Sequence, residues 1–108
     1  MELNNYQSKA RETALYPKDQ GLVYCALGLT GEAGEVADKI KKIIRDKGGV
    51  VSAEDRTALA KELGDVLWYL ANLSLELNLA LDFVALKNVE KLSSRKNRGV
   101  ISGSGDNR

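Results

Sequence analysis

Two apolar stripes of heptad spacing, separated by a glycine pair, constrain this chain more than any other feature. Leu22, Ala26, Leu29, Ala33, Val36, Ile40 and Ile43 follow one another at steps of four and three, and Leu59, Leu63, Val66, Leu70, Leu73 and Leu77 do the same. A repeat averaging about 3.5 residues keeps one face of an α-helix apolar, whereas a strand would alternate at every second residue. Gly48 and Gly49 lie between the stripes, and so short a connection makes successive helices antiparallel. The spacing predicts a helical hairpin.

The flanking sequence extends this to an all-α fold. A first helix is predicted from Leu3 to Leu15, stopped by Tyr16-Pro17 because the residue before proline avoids the helical region. The second runs from about Gln20 to Asp46 and ends at Lys47-Gly48-Gly49, with basic residues for the last turn and glycine for the left-handed cap. The third starts after Ser52, a good N-cap followed by Glu54 and Asp55, and runs to about Asn78; the fourth spans about Asp82 to Asn97. Residues 99–108, rich in glycine and serine, read as a flexible tail on a single domain of residues 1–98. The third helix also carries Leu67, Trp68, Ala71 and Leu75 off its stripe, so it needs a second partner, from the fourth helix or another subunit. A four-helix-bundle type core assembled between subunits is the expected architecture, and a chain of 108 residues has little core of its own to resist that association.

Composition removes whole classes of chemistry. The chain contains no histidine, which excludes imidazole general bases, catalytic triads, His-ligated zinc and di-iron sites built on Glu-x-x-His. Cys25 is the one cysteine, so no internal disulfide forms; with nothing basic beside it in sequence, it is expected to be a small buried hydrophobe. No run of about 18 apolar residues suggests a membrane span. The start, Met1-Glu2-Leu3-Asn4-Asn5, has no basic and apolar leader, making the cytoplasm the default location. A net charge of +1 argues against a nucleic-acid-binding domain, although a helical interaction module with a basic tail is the competing non-enzymatic reading.

Each arm of the hairpin carries two acids three residues apart, Glu32 with Glu35 and Glu62 with Asp65, which puts both carboxylates of a pair on one helix face. With the stripes taken as positions a and d, Glu32 and Glu62 fall at g, and Glu35 and Asp65 at c. In an antiparallel pair g borders g, so the two acidic flanks meet. Each pair lies about 15 residues from the glycine bend, roughly 20 Å along the helix, so the pairs are level. Axes about 8–10 Å apart would then let four carboxylates converge. Such a group repels itself unless a cation sits within it. Oxygen donors alone suit a hard ion, expected to be Mg²⁺, with Mn²⁺ able to substitute. The plainer reading is a pair of solvated acidic faces neutralised by Lys39 or Lys61. Gly31, Gly34 and Gly64 weigh against it, because glycine inside a helix costs about 1 kcal/mol relative to alanine; a close backbone or ligand approach is expected there.

The two acidic pairs, set in Gly28-Leu29-Thr30-Gly31-Glu32-Ala33-Gly34-Glu35 and Lys61-Glu62-Leu63-Gly64-Asp65-Val66-Leu67-Trp68-Tyr69, closely resemble those of the MazG-like nucleoside triphosphate pyrophosphohydrolases of the all-α NTP pyrophosphatase superfamily. The resemblance extends over nearly the whole chain, including Lys87-Asn88-Val89-Glu90-Lys91-Leu92 and the ending Gly103-Ser104-Gly105-Asp106-Asn107-Arg108. It implies hydrolysis of a nucleoside triphosphate between the α and β phosphates, Mg²⁺ held by Glu32, Glu35, Glu62 and Asp65, and a homo-oligomer, dimeric or tetrameric. Relatives in that superfamily act on dUTP, dCTP or phosphoribosyl-ATP, so a dedicated substrate is an alternative within the same chemistry. Glu32 and Glu35 are the expected catalytic acids, with Glu35 the candidate to accept the proton of the attacking water. Asp38 continues the acidic face by one further step.

Cations should complete a phosphate site. Residues 1–86 hold 10 basic and 13 acidic side chains, whereas residues 87–108 hold 6 basic and 2 acidic. Lys87, Lys91 and Arg95 recur on one face of the fourth helix with Asn88 beside them, a set suited to triphosphate oxygens. A solvated basic face or a contact with the acidic body of a neighbouring subunit explains the same residues. Tyr69, one turn beyond Asp65, is placed to stack on a base or bond a sugar; Trp68, Tyr6 and Gln7 are expected to serve packing.

Overall fold

Four helices follow one another, and their ends have local causes. The computed structural model describes residues 1–108: α1 is Leu3–Glu12, α2 Gly21–Lys47, α3 Ala53–Glu76 and α4 Leu81–Asn97, with a single 3₁₀ turn at Lys18–Gln20 before α2. There are no strands. The first helix stops short of Leu15 because Thr13 takes its C-cap, the hydroxyl donating to the Ala10 carbonyl at 3.1 Å. Gly48 caps α2 in the left-handed region at φ 59°, which glycine enters without a Cβ clash. Ser52 and Asp55 form a reciprocal capping box at the start of α3. At its other end Asn78 has φ 57°, while the Leu79 amide donates to the Ser74 carbonyl at 2.8 Å, the Schellman arrangement with asparagine in place of glycine.

The predicted hairpin is present, with α2 packed antiparallel along α3. Facing residues mark its register: Lys47 meets Asp55 at 2.8 Å, Lys39 meets Glu62 at 3.5 Å, Gly28 lies against the Tyr69 ring and Gly21 against the Glu76 carboxylate. The helices do not, however, meet on the whole a/d stripe. Apart from Leu22, which is exposed, the d line is covered or partly covered, with Ile43 buried and Leu29, Val36, Leu59, Val66 and Leu73 half-buried. The a line is largely open: Ala26, Ala33, Ile40 and Leu63 are exposed. The contact is rotated towards g because Gly21, Cys25 and Gly28, all small, lie on the c/g flank of α2 and let α3 come close. Cys25 is fully buried there, as expected for it.

The extra apolar face of α3 is met by α1 and the start of α4. Ala71 packs with Ala10 and Leu81, supported by Tyr6, Trp68 and Leu70. Gln7 holds this junction: its amide donates to the Ala71 and Leu79 carbonyls at 3.2 and 3.0 Å, and its carbonyl accepts from the Leu81 amide at 2.9 Å. The N-cap of α4 is Ala80, which has no capping side chain, so α1 supplies the caps, with Asn4 accepting from the Asp82 amide at 3.0 Å. From this junction α4 leaves α3 at 100° and packs on α1 and α3, with no contact to α2. The stretch 99–108, expected as a flexible tail, is tied to α4 by hydrogen bonds from Arg95 and Arg98 and is braced internally by Arg108.

The result is an open molecule. Its radius of gyration is 16.7 Å, against about 13 Å for a compact chain of this length, and its 7674 Å² of accessible surface exceeds the roughly 5,900 Å² usual for this mass. No single helix is long and apolar enough to cross a membrane.

Candidate metal and nucleotide site

The rotation of the hairpin decides which acids meet. Position g of both helices faces the contact, so Glu32 from α2 and Glu62 from α3 turn inward, and Asp65 joins them from one turn further along α3. Carboxylate oxygens of these three lie within 4.8 Å of one another. Glu35, one turn on from Glu32, is exposed and stands outside the trio; its charge still reaches Glu32. Asp38 is engaged by its own helix, 2.8 Å from Lys42 and 3.1 Å from Lys41, and these ammonium groups hold its carboxyl below the usual range.

The electrostatics are those of a site short of positive charge. Partial desolvation, followed by the charges of Asp65, Glu62 and Glu35, pushes the Glu32 carboxyl above the ordinary carboxylate value. Lys39 approaches Glu62, so the plainer expectation of lysine neutralisation is realised at one acid. The donor set suits a hard ion. Oxygens around Mg²⁺ at about 2.1 Å lie roughly 3–4 Å apart, so modest side-chain rotation closes the trio.

Beyond the acids is a cleft of about 310 Å³ lined by Thr13, Glu32, Asp65, Trp68 and Tyr69. It has an acidic end and an aromatic end. Tyr69 lies where the sequence places it, one turn from Asp65, and its hydroxyl is raised above the ordinary tyrosine value by burial first, then by Tyr24 and Glu32. Its ring lies so close to Gly28 that any Cβ there would collide with it. Trp68, expected to serve packing, is half-buried against the Ala10/Ala71/Leu81 core and also lines the cleft, edge-to-face with Tyr69 at 5.0 Å. Tyr6 packs on the α1/α3/α4 core, where burial and then Asp65 raise its hydroxyl. Thr13 and Gly28 were not legible as cleft-forming residues. Gly31, Gly34 and Gly64, where a close approach is expected, have no atom within 4 Å of where a Cβ would sit.

The cations of α4 lie elsewhere. Lys87, Asn88 and Lys91 line a second cleft of about 380 Å³ with Leu79, Phe83 and Val84. Lys87 sits 5.6 Å above the Phe83 ring, and Lys91 is 3.5 Å from Asp106. Arg95 is unlike its neighbours. It is buried, and its guanidinium donates to the Gly105 and Asp106 carbonyls and to the Asp106 carboxylate. The folded tail takes up the Nη2 group of Arg95, which is thereby buried rather than set on the open basic face with Lys87 and Lys91. Because α4 does not touch α2, one chain keeps its acidic and basic sets on separate elements.

A profile of the MazG nucleotide pyrophosphohydrolase domain matches residues 20–100, three quarters of the chain. The chain belongs to the MazG family. The matched span contains all four acids of the two pairs and the basic face of α4, whereas α1 and Thr13 precede it. This MazG chain is also 52% identical, over the full length of both, to the protein called Gene 37 protein of Mycobacterium phage L5. No solved structure matches it.

Proposed function

We propose that this MazG domain hydrolyses ribo- or deoxynucleoside triphosphates between the α and β phosphates, with water as the nucleophile and a nucleoside monophosphate and pyrophosphate as products. The observation that carries the reading is the carboxylate trio Glu32, Glu62 and Asp65 at one end of a cleft whose other end is aromatic. Mg²⁺, or Mn²⁺ in its place, held by these acids would supply Lewis-acid activation of water and charge neutralisation on the phosphates. The residues of the chain divide the remaining work. Glu35, outside the trio and exposed, has a free carboxylate to accept the proton lost by the attacking water, or to join the metal ligands when the site closes. Tyr69 offers its ring to the base. Attack forms a new bond between the water oxygen and phosphorus as the α–β bridging bond breaks, and the electron pair leaves with pyrophosphate.

The phosphate-facing cations are Lys87 and Lys91 with Asn88, and they come from a second copy. Three observations support an oligomer: α4 does not reach α2 within one chain, the a line of the hairpin is largely exposed, and the surface exceeds that of a compact monomer by roughly 1,800 Å². That excess is about twice the roughly 800 Å² each partner loses in a standard dimer, and is of the size a larger, obligate interface removes from each chain. A panel of common ribo- and deoxynucleoside triphosphates with Mg²⁺, read for pyrophosphate against orthophosphate release, tests the function. Pyrophosphate release that disappears in Glu35→Gln supports it. Orthophosphate release alone contradicts the cleavage position, and wild-type turnover in the variant removes Glu35 from the essential set.

A further inference from the structure

The aromatic end of the cleft is held by a residue from α1. The indole Nε1 of Trp68 donates to Thr13 Oγ1 at 2.8 Å, and the Thr13 hydroxyl in turn donates to the Ala10 carbonyl at 3.1 Å. The direction of this pair of bonds is thereby set, because a hydroxyl that donates to a carbonyl presents its lone pairs to the indole. Thr13 is itself immobilised. It caps α1, and α1 is anchored to α3 and α4 through Gln7. Trp68 is half-buried, with its ring packed on the Ala10/Ala71/Leu81 core and edge-to-face with Tyr16 at 6.4 Å, but its ring nitrogen has this one hydrogen-bond partner. The orientation of the indole then passes to Tyr69 through their edge-to-face contact at 5.0 Å, while Gly28, having no Cβ, allows the Tyr69 ring to lie close against α2.

We propose that Thr13 is a positioning residue for nucleotide binding: by fixing Trp68, and through it Tyr69, it sets the wall against which the planar base stacks. The inference rests on the hydrolase reading and adds a determinant from α1 that neither acidic pair supplies. Thr13 does not touch the phosphates in this scheme, so its loss acts on recognition of the base and leaves recognition of the polyphosphate alone.

Thr13→Val keeps the shape and removes the acceptor; Thr13→Ser keeps the acceptor. Steady-state kinetics on the best substrate of the triphosphate panel should show KM raised about fivefold in Thr13→Val with kcat changed by less than about twofold, and Thr13→Ser should restore KM to within about twofold of wild type. Inhibition by inorganic triphosphate, which has no base, should be equal in all three proteins. Trp68 is the only tryptophan, which gives a second readout. Its fluorescence should be quenched by the nucleoside monophosphate product with Mg²⁺ in the wild type and in Thr13→Ser, and less so in Thr13→Val at equal ligand. Wild-type KM and wild-type quenching in a folded Thr13→Val protein overturn the proposal, as does an equal loss of inorganic triphosphate inhibition. If the wild type releases pyrophosphate from no triphosphate, the hydrolase reading fails; quenching that depends on Thr13 still supports the positioning role in that case, and quenching that ignores Thr13 sinks it too.

Discussion

Lys39 Nζ lies 3.5 Å from a Glu62 carboxylate oxygen, across the hairpin, and is the one ammonium group within ion-pair range of the acidic trio. It is a half-exposed pair, worth little by itself in solvent, but it occupies an acid that a divalent ion would also claim. Lysine and metal therefore compete. In Lys39→Met the metal-free protein should melt a few degrees lower than wild type, because repulsion among the acids loses its single counterweight. Mg²⁺ should raise the melting temperature of the variant more than that of the wild type. Equal Mg²⁺-induced shifts in thermal scans of the two proteins would show that Lys39 and the metal do not share Glu62.

Removing an acid should have the opposite signature. Asp65→Asn deletes one of three converging negative charges, so the metal-free protein should melt higher than wild type, while turnover falls by about 100-fold or more through loss of a ligand. Thermal scans without metal and pyrophosphate release with Mg²⁺ check both halves. A variant that is less stable without metal would mean that Asp65 is held by attraction rather than merely tolerated.

The pH dependence of stability has two limbs of opposite sign. The Glu32 carboxyl is raised in the folded state, so its contribution is present below the unfolded carboxylate value and is lost as pH rises through the folded one. Metal-free stability should fall over that interval, and Mg²⁺ should reverse the fall. Asp55 is lowered to about 2, first by Lys47 and then by the Ser52 backbone amide. Its contribution is present above the ordinary aspartate value and is lost as pH falls towards 2. Denaturant midpoints measured against pH, with and without Mg²⁺, and repeated in Glu32→Gln, separate the limbs: the variant should keep the acid limb and lose the other.

Glycines that look alike in sequence should respond differently. At Gly34 a Cβ meets no atom of the chain within 4 Å, so Gly34→Ala should stabilise the isolated fold by about 0.5–1 kcal/mol through helix propensity. At Gly28 the Tyr69 ring is in the way, so Gly28→Ala should displace the ring and weaken nucleotide binding without that gain. Chemical denaturation and KM for the two variants test the contrast. Loss of activity in a stabilised Gly34→Ala protein would place a ligand or a second chain against that glycine.

The junction held by Gln7 should be the most sensitive site away from the cleft. Gln7→Ala leaves the Leu81 amide and two carbonyls without their partner in a buried position, a cost of about 2–4 kcal/mol. Hydrogen exchange should accelerate first at the start of α4. Uniform acceleration along α2 as well would mean that α4 is not a separable unit.

Local sequence determined the helices, the hairpin and the caps of α2 and α3, whereas α4 is capped from α1. Gly48 and the Ser52 capping box act within a few residues of themselves, so their effects can be read without any knowledge of packing, whereas α1 ended at Thr13, before the stop expected at Tyr16-Pro17. The level of the acidic pairs follows from the same counting, since rise per residue does not depend on what a helix packs against. Rotation about the helix axis is a different quantity. A heptad stripe states that one face is apolar, but small residues beside it choose where the partner comes closest, and Gly21, Cys25 and Gly28 moved that line from a towards g. That shift brought Glu32, Glu62 and Asp65 together, left Glu35 outside, and opened a cleft walled by Thr13 and Trp68. The burial of Arg95 under residues 105 and 106 depended on a chain reversal at Gly99 and on hydrogen bonds made after it. Such contacts join residues through space, and only the folded structure specifies them.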